Sequence, residues 1–266
     1  MKDIIEEIIK IKNDKSHGAS YLALEAVKIL KKAALFSDSY DKDHFLSYMQ
    51  TLADELKLCR PSMVSIYNLV TLYMQTLTQK LSLSEEGANL NSTAACLADK
   101  LIEQTLLLQK QLIQKGAELI QSHDIIMTCS YSSTTVETIK TAYNQGKIFT
   151  VFIARSLSPA STCAYGEMTA DKLPSSINKK VIPDNLIEDY LIKTDYVITG
   201  ADTVLNDGTL INGFPTARIA YLADKLGIPF YVICEKHKLA PAGFIPQIET
   251  GFDQIPAHLI THIISG

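Results

Sequence analysis

The 266-residue sequence has no tryptophan, which excludes an indole platform for stacking bases, and only 12 glycines and 9 prolines, too few for a collagen-like or low-complexity chain. Its five cysteines, Cys59, Cys96, Cys129, Cys163 and Cys234, are widely spaced and form no C-x-x-C pair. That excludes a zinc ribbon or a thioredoxin-type motif and suits reduced thiols in a cytoplasmic protein. No apolar run reaches membrane-spanning length, and Met1 to Lys15 is densely charged with no apolar core; neither an anchor nor a signal peptide is expected. The phosphate-binding strings G-x-G-x-x-G and G-x-x-x-x-G-K-[ST] are both missing, so neither a dinucleotide nor a P-loop nucleotide is indicated. A positive charge excess is missing as well. The formal net charge is −4, which argues against direct nucleic-acid binding through bulk charge but leaves room for one phosphate at a local site.

What is present is an ordinary soluble composition, 47% hydrophobic and 20% charged, and enough chain to bury a sizeable core. The first ~120 residues carry helical periodicity and few strand signals. Ser16 reads as an N-cap for a stripe of Leu22, Ala23, Ala26, Ile29, Leu30 and Ala33, spaced for one helix face. A second helix is expected from about His44 to Leu58, and Pro61 suits the first turn of a third, with Ile66, Leu69, Val70, Tyr73 and Leu77 inward. After a polar connection at Ser82–Asn91, a long helix carries Leu101, Thr105, Leu108, Leu112 and Ile113 to near Gln121.

Beyond His123 the pattern alternates. Strands are expected at Ile125–Cys129, Lys147–Ala154, Val181–Ile182, Asp195–Thr199 and Pro229–Cys234, with helical segments between them, including Pro215 to about Leu226. Such alternation predicts an α/β fold: a helical N-terminal domain over 1–121 and a Rossmann-like, parallel-sheet domain over 122–266. Ligands in such sheets bind beyond the carboxyl ends of the strands. Three loops are thereby singled out: Cys129–Ser133, Ala154–Gly166 and Gly200–Thr216.

The first loop opens a helix with Ser132 and Ser133, whose hydroxyls and the helix N–H groups suit a phosphate, although either serine equally suits a plain cap. Asp202 ends a strand in the third loop, where it can act as acid, base or hydroxyl acceptor. His258 and His262, four apart on an expected helix, have no accompanying Glu motif and read as surface residues. His237, between Lys236 and Lys238, is placed for a phosphate contact. No metal site is indicated.

These residues resemble the family of the regulatory alpha, beta and delta subunits of eukaryotic translation initiation factor 2B. That family also contains 5-methylthioribose-1-phosphate isomerase and ribose-1,5-bisphosphate isomerase. The resemblance rests on Gly200-Ala201-Asp202, Asn206-Asp207-Gly208, Ile211-Asn212, Thr216 and Pro229-Phe230-Tyr231-Val232. Glu235 with Lys238, His17-Gly18-Ala19, Arg60-Pro61-Ser62, Gly166 with Thr169-Ala170, and Ile182-Pro183-Asp184 add further matches in the same order. It implies a homodimer or larger homo-oligomer and a cleft for a phosphorylated sugar. It implies aldose–ketose isomerisation by a Cys–Asp pair without a cofactor, with Asp202 as that Asp. It also implies phosphate or substrate contacts from Gly18, Ala19, Arg60, Asn212, Thr216 and Lys238.

Departures from the pattern are specific. Ser130 stands where the catalytic Cys belongs, with Cys129 one position before it; a slip of one residue on a strand points a side chain to the opposite face. A thiol near ~8.5 is poised for proton transfer at neutral pH, whereas an unassisted serine is not. Gly213 replaces a Lys, Pro215 a Gly and His17 an Arg, while Arg155 stands where a Glu is expected and can supply compensating positive charge. Two functions therefore lead, ahead of a different reaction on the same scaffold, such as lyase chemistry. One is a sugar-phosphate aldose–ketose isomerase with a divergent active site, using Asp202 with Ser130 or Cys129. The other is a non-catalytic, initiation-factor-like subunit that binds a phosphorylated metabolite or a protein partner.

Overall fold

A computed structural model describes residues 2–39, 41–83, 89–158 and 163–266. It divides into two compact units, Met1–Leu107 and Leu108–Gly266.

The N-terminal unit is helical: α1 (Lys2–Asn13), α2 (Ala19–Leu35), α3 (Lys42–Leu58), α4 (Val64–Ser82) and the first part of α5 (Leu90–Leu119). The apolar stripes expected on α2 and α4 are buried, as 3.6-residue spacing requires of one face. Two helix starts differ from expectation. The N-cap of α2 is Gly18, not Ser16, because the Asp14 carboxylate collects the backbone and side chain of Ser16 and the backbone N–H of His17. Pro61 lies in a turn closed by the Met63 N–H on the Arg60 carbonyl, and α4 begins only at Val64. On α5, Thr105 and Leu112 are buried, whereas Leu108 is 46% exposed. Residues 84–88 of the Ser82–Asn91 connection lie outside the described residues. Among those described, no helix is long and apolar enough to cross a membrane.

The C-terminal unit holds the rest of α5 and the α/β fold: β1 (Ile125–Thr128), α6 (Ser133–Asn144), β2 (Thr150–Ala154), α7 (Tyr165–Lys172), β3 (Asn178–Ile182), α8 (Ile187–Leu191), β4 (Tyr196–Thr199), β5 (Thr203–Val204), β6 (Leu210–Gly213), α9 (Thr216–Leu226), β7 (Phe230–Cys234), β8 (Phe252–Ile255) and β9 (His262–Ser265). Six strands form one sheet in the order β3-β2-β1-β4-β7-β9, parallel throughout. The central strands are apolar on both faces, as buried parallel strands must be. Met127, Val197 and Val232 enter one core layer, while Ile126, Ile198 and Ile233 enter the other. A small antiparallel sheet, β5-β6-β8, flanks this one; its hairpin turns at Asn206–Gly208, where Gly208 takes φ 83°. His262 opens β9 rather than extending a helix from His258, because that segment completes the edge of the sheet against β7.

Gly166 shows how tightly the layers meet. A Cβ there would fall 1.8 Å from the Ala154 carbonyl oxygen at the end of β2, and the Gly166 N–H donates to the Arg155 carbonyl at 2.9 Å. Backbone this close admits only glycine without a shift of α7. Gly166→Ala is therefore expected to destabilise the fold by up to about 3 kcal/mol, measured as a lowered midpoint in urea unfolding.

Candidate active site

The sheet order changes direction between β1 and β4: β2 and β3 lie beyond one, β7 and β9 beyond the other. The crevice outside the carboxyl ends of the strands at such a switch is where open α/β sheets take ligands.

Strand β1 runs out through Cys129 and Ser130. Cys129 continues the layer of Met127, and burial pushes its thiol up to about 11, against weaker lowering by Thr216 and Thr199. Its hydrogen bonds form a closed set. The Thr216 hydroxyl donates to the Gly213 carbonyl at 2.6 Å, so its oxygen accepts from the Asn212 amide at 3.0 Å and from the Cys129 thiol at 3.4 Å. The same amide donates to Thr199 Oγ1 at 3.1 Å, leaving the Thr199 hydroxyl proton for Cys129 Sγ at 3.9 Å. Cys129, Asn212 and Thr216 are thus brought together, and the polar atoms of this buried brace answer one another.

Ser130 is held differently. Its φ is +58°, a left-handed conformation uncommon for a non-glycine residue. Such strain persists only where surroundings over-determine it. Here the Ser130 N–H donates to Ser156 Oγ at 2.8 Å, and its carbonyl accepts from the Thr169 hydroxyl at 2.7 Å. Ser156, also at φ +58°, is fixed by Asp184, whose two carboxylate oxygens accept from the N–H groups of Ser156 (2.8 Å) and Leu157 (3.0 Å). The Ser130 side chain lies against Gly213: a Cβ on Gly213 would fall 2.3 Å from Ser130 Oγ. Ser132 is the N-cap of α6, accepting from the Thr135 N–H at 3.3 Å. Ser133 is its first residue. The end of β4 approaches this cap so closely that a Cβ on Gly200 would meet Ser132 Cβ at 2.5 Å.

Asp202 follows β4, anchored by its N–H on the Ile211 carbonyl at 3.0 Å, and is half-buried. Lys238, 3% exposed, pairs with Glu235, 4% exposed, at 2.9 Å. Burial lowers Lys238, but the carboxylates of Glu235 and Asp202 outweigh it and hold the ammonium above its ordinary value. Burial likewise works against the charge on Glu235, and Lys238 with its hydrogen-bond donors overrides it, holding the carboxyl far below the usual range. Glu235 Oε1 accepts from Thr134 at 2.5 Å and from Gln109 on α5 at 3.0 Å. His237 sits beside this pair with its Nε2 shut off from solvent. Burial pushes it down to about 4, so at neutral pH it brings no charge to a phosphate.

Arg155 does not stand as an open cation: its Nε donates to Glu167 at 2.7 Å in an exposed pair. Gly18, Ala19 and Arg60 belong to the N-terminal unit. There the buried Arg60 guanidinium donates to the Asp14 carbonyl at 2.7 Å, tying it to the loop that leads into Gly18. His17 binds Asp14 at 2.8 Å and stacks on Tyr21. Burial raises Asp14, yet the bonds from His17 and Ser16 prevail and hold it below the ordinary carboxylate range. Among the described residues no cluster of His, Cys, Asp and Glu is placed to hold a metal. Sequence reasoning missed Gln109, Thr134, Ser156 and the Asp184 side chain. Only the spacing of Glu235 and Lys238, three apart, carried a signal for their pairing.

The sequence profile of the initiation factor 2 subunit family matches residues 15–251. The ribose 1,5-bisphosphate isomerase of Methanocaldococcus jannaschii is 29% identical over 248 residues, covering 92% of this chain and 77% of that protein. A putative translation initiation factor eIF-2B subunit 2-like protein of Pyrococcus furiosus is 30% identical over 237 residues, covering 88% and 79%. The crystal structure of translation initiation factor eIF-2B from Pyrococcus horikoshii OT3 superposes with a TM-score of 0.83 at 26% identity, over 99% of this chain and 95% of that one.

Two outcomes follow from burial. The Cys129 thiol is expected to resist a thiol-selective reagent at pH 7 in the folded protein, while exposed Cys96 is modified; peptide mass spectrometry locates the label. His237 binds protons more weakly folded than unfolded, so it lowers stability as pH falls from 6.5 towards 4. The loss is up to about 3 kcal/mol, and His237→Asn is expected to flatten unfolding free energy against pH across that window.

Proposed function

The chain belongs to the initiation factor 2 subunit family, and from that footing we propose that it is a sugar-phosphate aldose–ketose isomerase whose proton transfer rests on a single carboxylate, Asp202. The observation that carries this reading is the placement of Asp202 at the β1/β4 switch, beside the buried Lys238 ammonium. In a 1-phosphorylated aldose the isomerisation breaks the C1–O4 bond, moves the C2 proton to C1 through an enol phosphate, and passes the C2 hydroxyl proton to the ring oxygen, leaving a ketone at C2 and the phosphate on C1. A positioned carboxylate carries the C2-to-C1 transfer, and a hydroxyl or water relays the second proton. The Lys238 charge favours the anionic intermediate electrostatically, the Ser130 hydroxyl donates to a sugar oxygen, and Ser132, Ser133 and the start of α6 meet the phosphate. In this reading Cys129 is a brace, and Gly18, Ala19 and Arg60 remain candidate phosphate-binding residues of the N-terminal unit. A cytoplasmic homodimer or larger homo-oligomer, with neither membrane nor direct nucleic-acid contacts, is part of the same proposal.

A second reading has a specific observation in its favour. The thiol is sealed and pushed up to about 11, and among the described residues no group is hydrogen-bonded to the Ser130 hydroxyl to activate it. That arrangement suits a subunit that binds a phosphorylated metabolite, or a protein partner, without turning anything over. The test is incubation with ribose 1,5-bisphosphate and with 5-methylthioribose 1-phosphate, followed by NMR for a ketose. The isomerase reading expects turnover, and a loss on the order of 10³-fold in a folded Asp202→Asn variant. Binding without a ketose product establishes the second reading instead, and full activity in Asp202→Asn removes the role given to that residue.

A further inference from the structure

Strand β3 closes one rim of the six-stranded sheet and pairs only with β2. The Ile182 carbonyl accepts from the Arg155 N–H at 2.9 Å, so the backbone of Ile182 faces β2. Residues two apart on a strand face the same way. Asn178 and Lys180 therefore also bond towards β2, while Lys179 and Val181 turn their N–H and carbonyl groups outward. No described residue bonds to those four groups. They form a short open ladder, the kind of edge to which an extended chain adds as a further strand.

Charge decides which chain can add. Lys180 lies opposite Phe152 of β2, whose ring meets Tyr190 of α8 at 5.0 Å between centroids. The Lys180 ammonium is 4.9 Å from the centre of the Tyr190 ring, and the Lys193 ammonium is 5.3 Å from it. Neither lysine has an ion-pair partner among the described residues, and the exposed Glu188 and Asp189 of α8 bind neither. The ring orders both ammoniums weakly, while their like charges repel; a carboxylate placed beside them answers both. The Lys179 ammonium donates to the Leu173 and Pro174 carbonyls at 2.6 and 2.8 Å, so it too meets no carboxylate. Edge lysines keep a strand from pairing with its own copy. The same charge favours a strand of opposite sign, since a carboxylate directly across from a lysine stabilises the pair and a second lysine there destabilises it.

We propose that the β3 rim is a docking edge for an extended acidic segment of a partner protein, which adds to the sheet beside β3 with carboxylates at alternate positions on the Lys180 side. The outward backbone groups of Lys179 and Val181 hold the segment, and Lys180 with Lys193 selects its sign. Docking at this rim requires none of the chemistry assigned to the crevice.

Fluorescence anisotropy on the full chain tests this, with a labelled, capped peptide of alternating glutamate and threonine. Two control peptides accompany it: one with the same residues as a glutamate block followed by a threonine block, and one alternating lysine and threonine. The alternating acidic peptide is expected to bind roughly tenfold more tightly than either control, a difference of about 1.4 kcal/mol, and to weaken as salt rises. On binding, amide hydrogen exchange is expected to slow at Lys179 and Val181, while Lys180 and Ile182, bonded to β2, are protected with or without peptide. Lys180→Glu, at an exposed position, is expected to lose roughly tenfold in affinity. Val181→Pro deletes one outward N–H and spares the β2 ladder, as an edge position allows, and a loss of similar size is expected. Equal binding of the block peptide means attraction without an added strand, no binding of the alternating acidic peptide means a closed rim, and unchanged exchange at Lys179 and Val181 means docking elsewhere; each overturns the proposal. Should Val181→Pro not fold, Lys180→Glu and the exchange pattern still decide.

Discussion

Glu235 and Lys238 are both almost wholly buried, and neither charge is tolerable there alone. Their mutual attraction, with the bonds from Thr134 and Gln109 to the Glu235 carboxylate, draws three elements to one point: α6, the second half of α5 and the carboxyl end of β7. Removing one partner of such a pair strands the other, at about 3–5 kcal/mol. The same pair fixes the ammonium that lies near Asp202, and β6 fixes the Asp202 backbone through the Ile211 carbonyl. Chemistry and folding therefore share these bonds at the crevice, and a substitution at Glu235 disturbs both together.

How much of this was legible depends on the range of the determining interaction. The helices α2 and α4 are set by apolar spacing within one or two turns, and their faces read directly. Ser16 and Pro61 were misplaced because Asp14 and the Arg60 turn decide where those helices begin, and neither cue is periodic. Strands β5, β6 and β8 were not anticipated, since two to four residues give too short a pattern and β8 joins the β5–β6 hairpin from a distant part of the chain. His258 and His262 sit four apart and so mimic a helix face. Parallel pairing of β9 with β7 overrides that local pattern.

The site was legible in composition more than in orientation. Asp202, Ser130 and Lys238 could be picked out as residue types at strand ends. That Cys129 is directed into a core layer follows from the two-residue period of β1, once the strand is known to run straight up to it. The left-handed backbone of Ser130 could not be read, because serine announces no positive φ as glycine does; it is imposed by Ser156, Thr169 and Asp184 from distant parts of the chain. Gln109 reaches Glu235 across 126 residues of sequence, and no local pattern signals that bond.

Strand β9 also has a colloidal consequence. Without it, β7 would be an open edge: Phe230, Val232 and Ile233 are buried, and a long apolar edge with bare N–H and carbonyl groups is a template for a second molecule. The opposite edge, β3, carries Lys179 and Lys180, residues that discourage edge-to-edge pairing. The sheet thus carries charge along one rim, while on the other His262–Ser265 pairs with β7 and keeps its apolar backbone edge from being open to a second molecule.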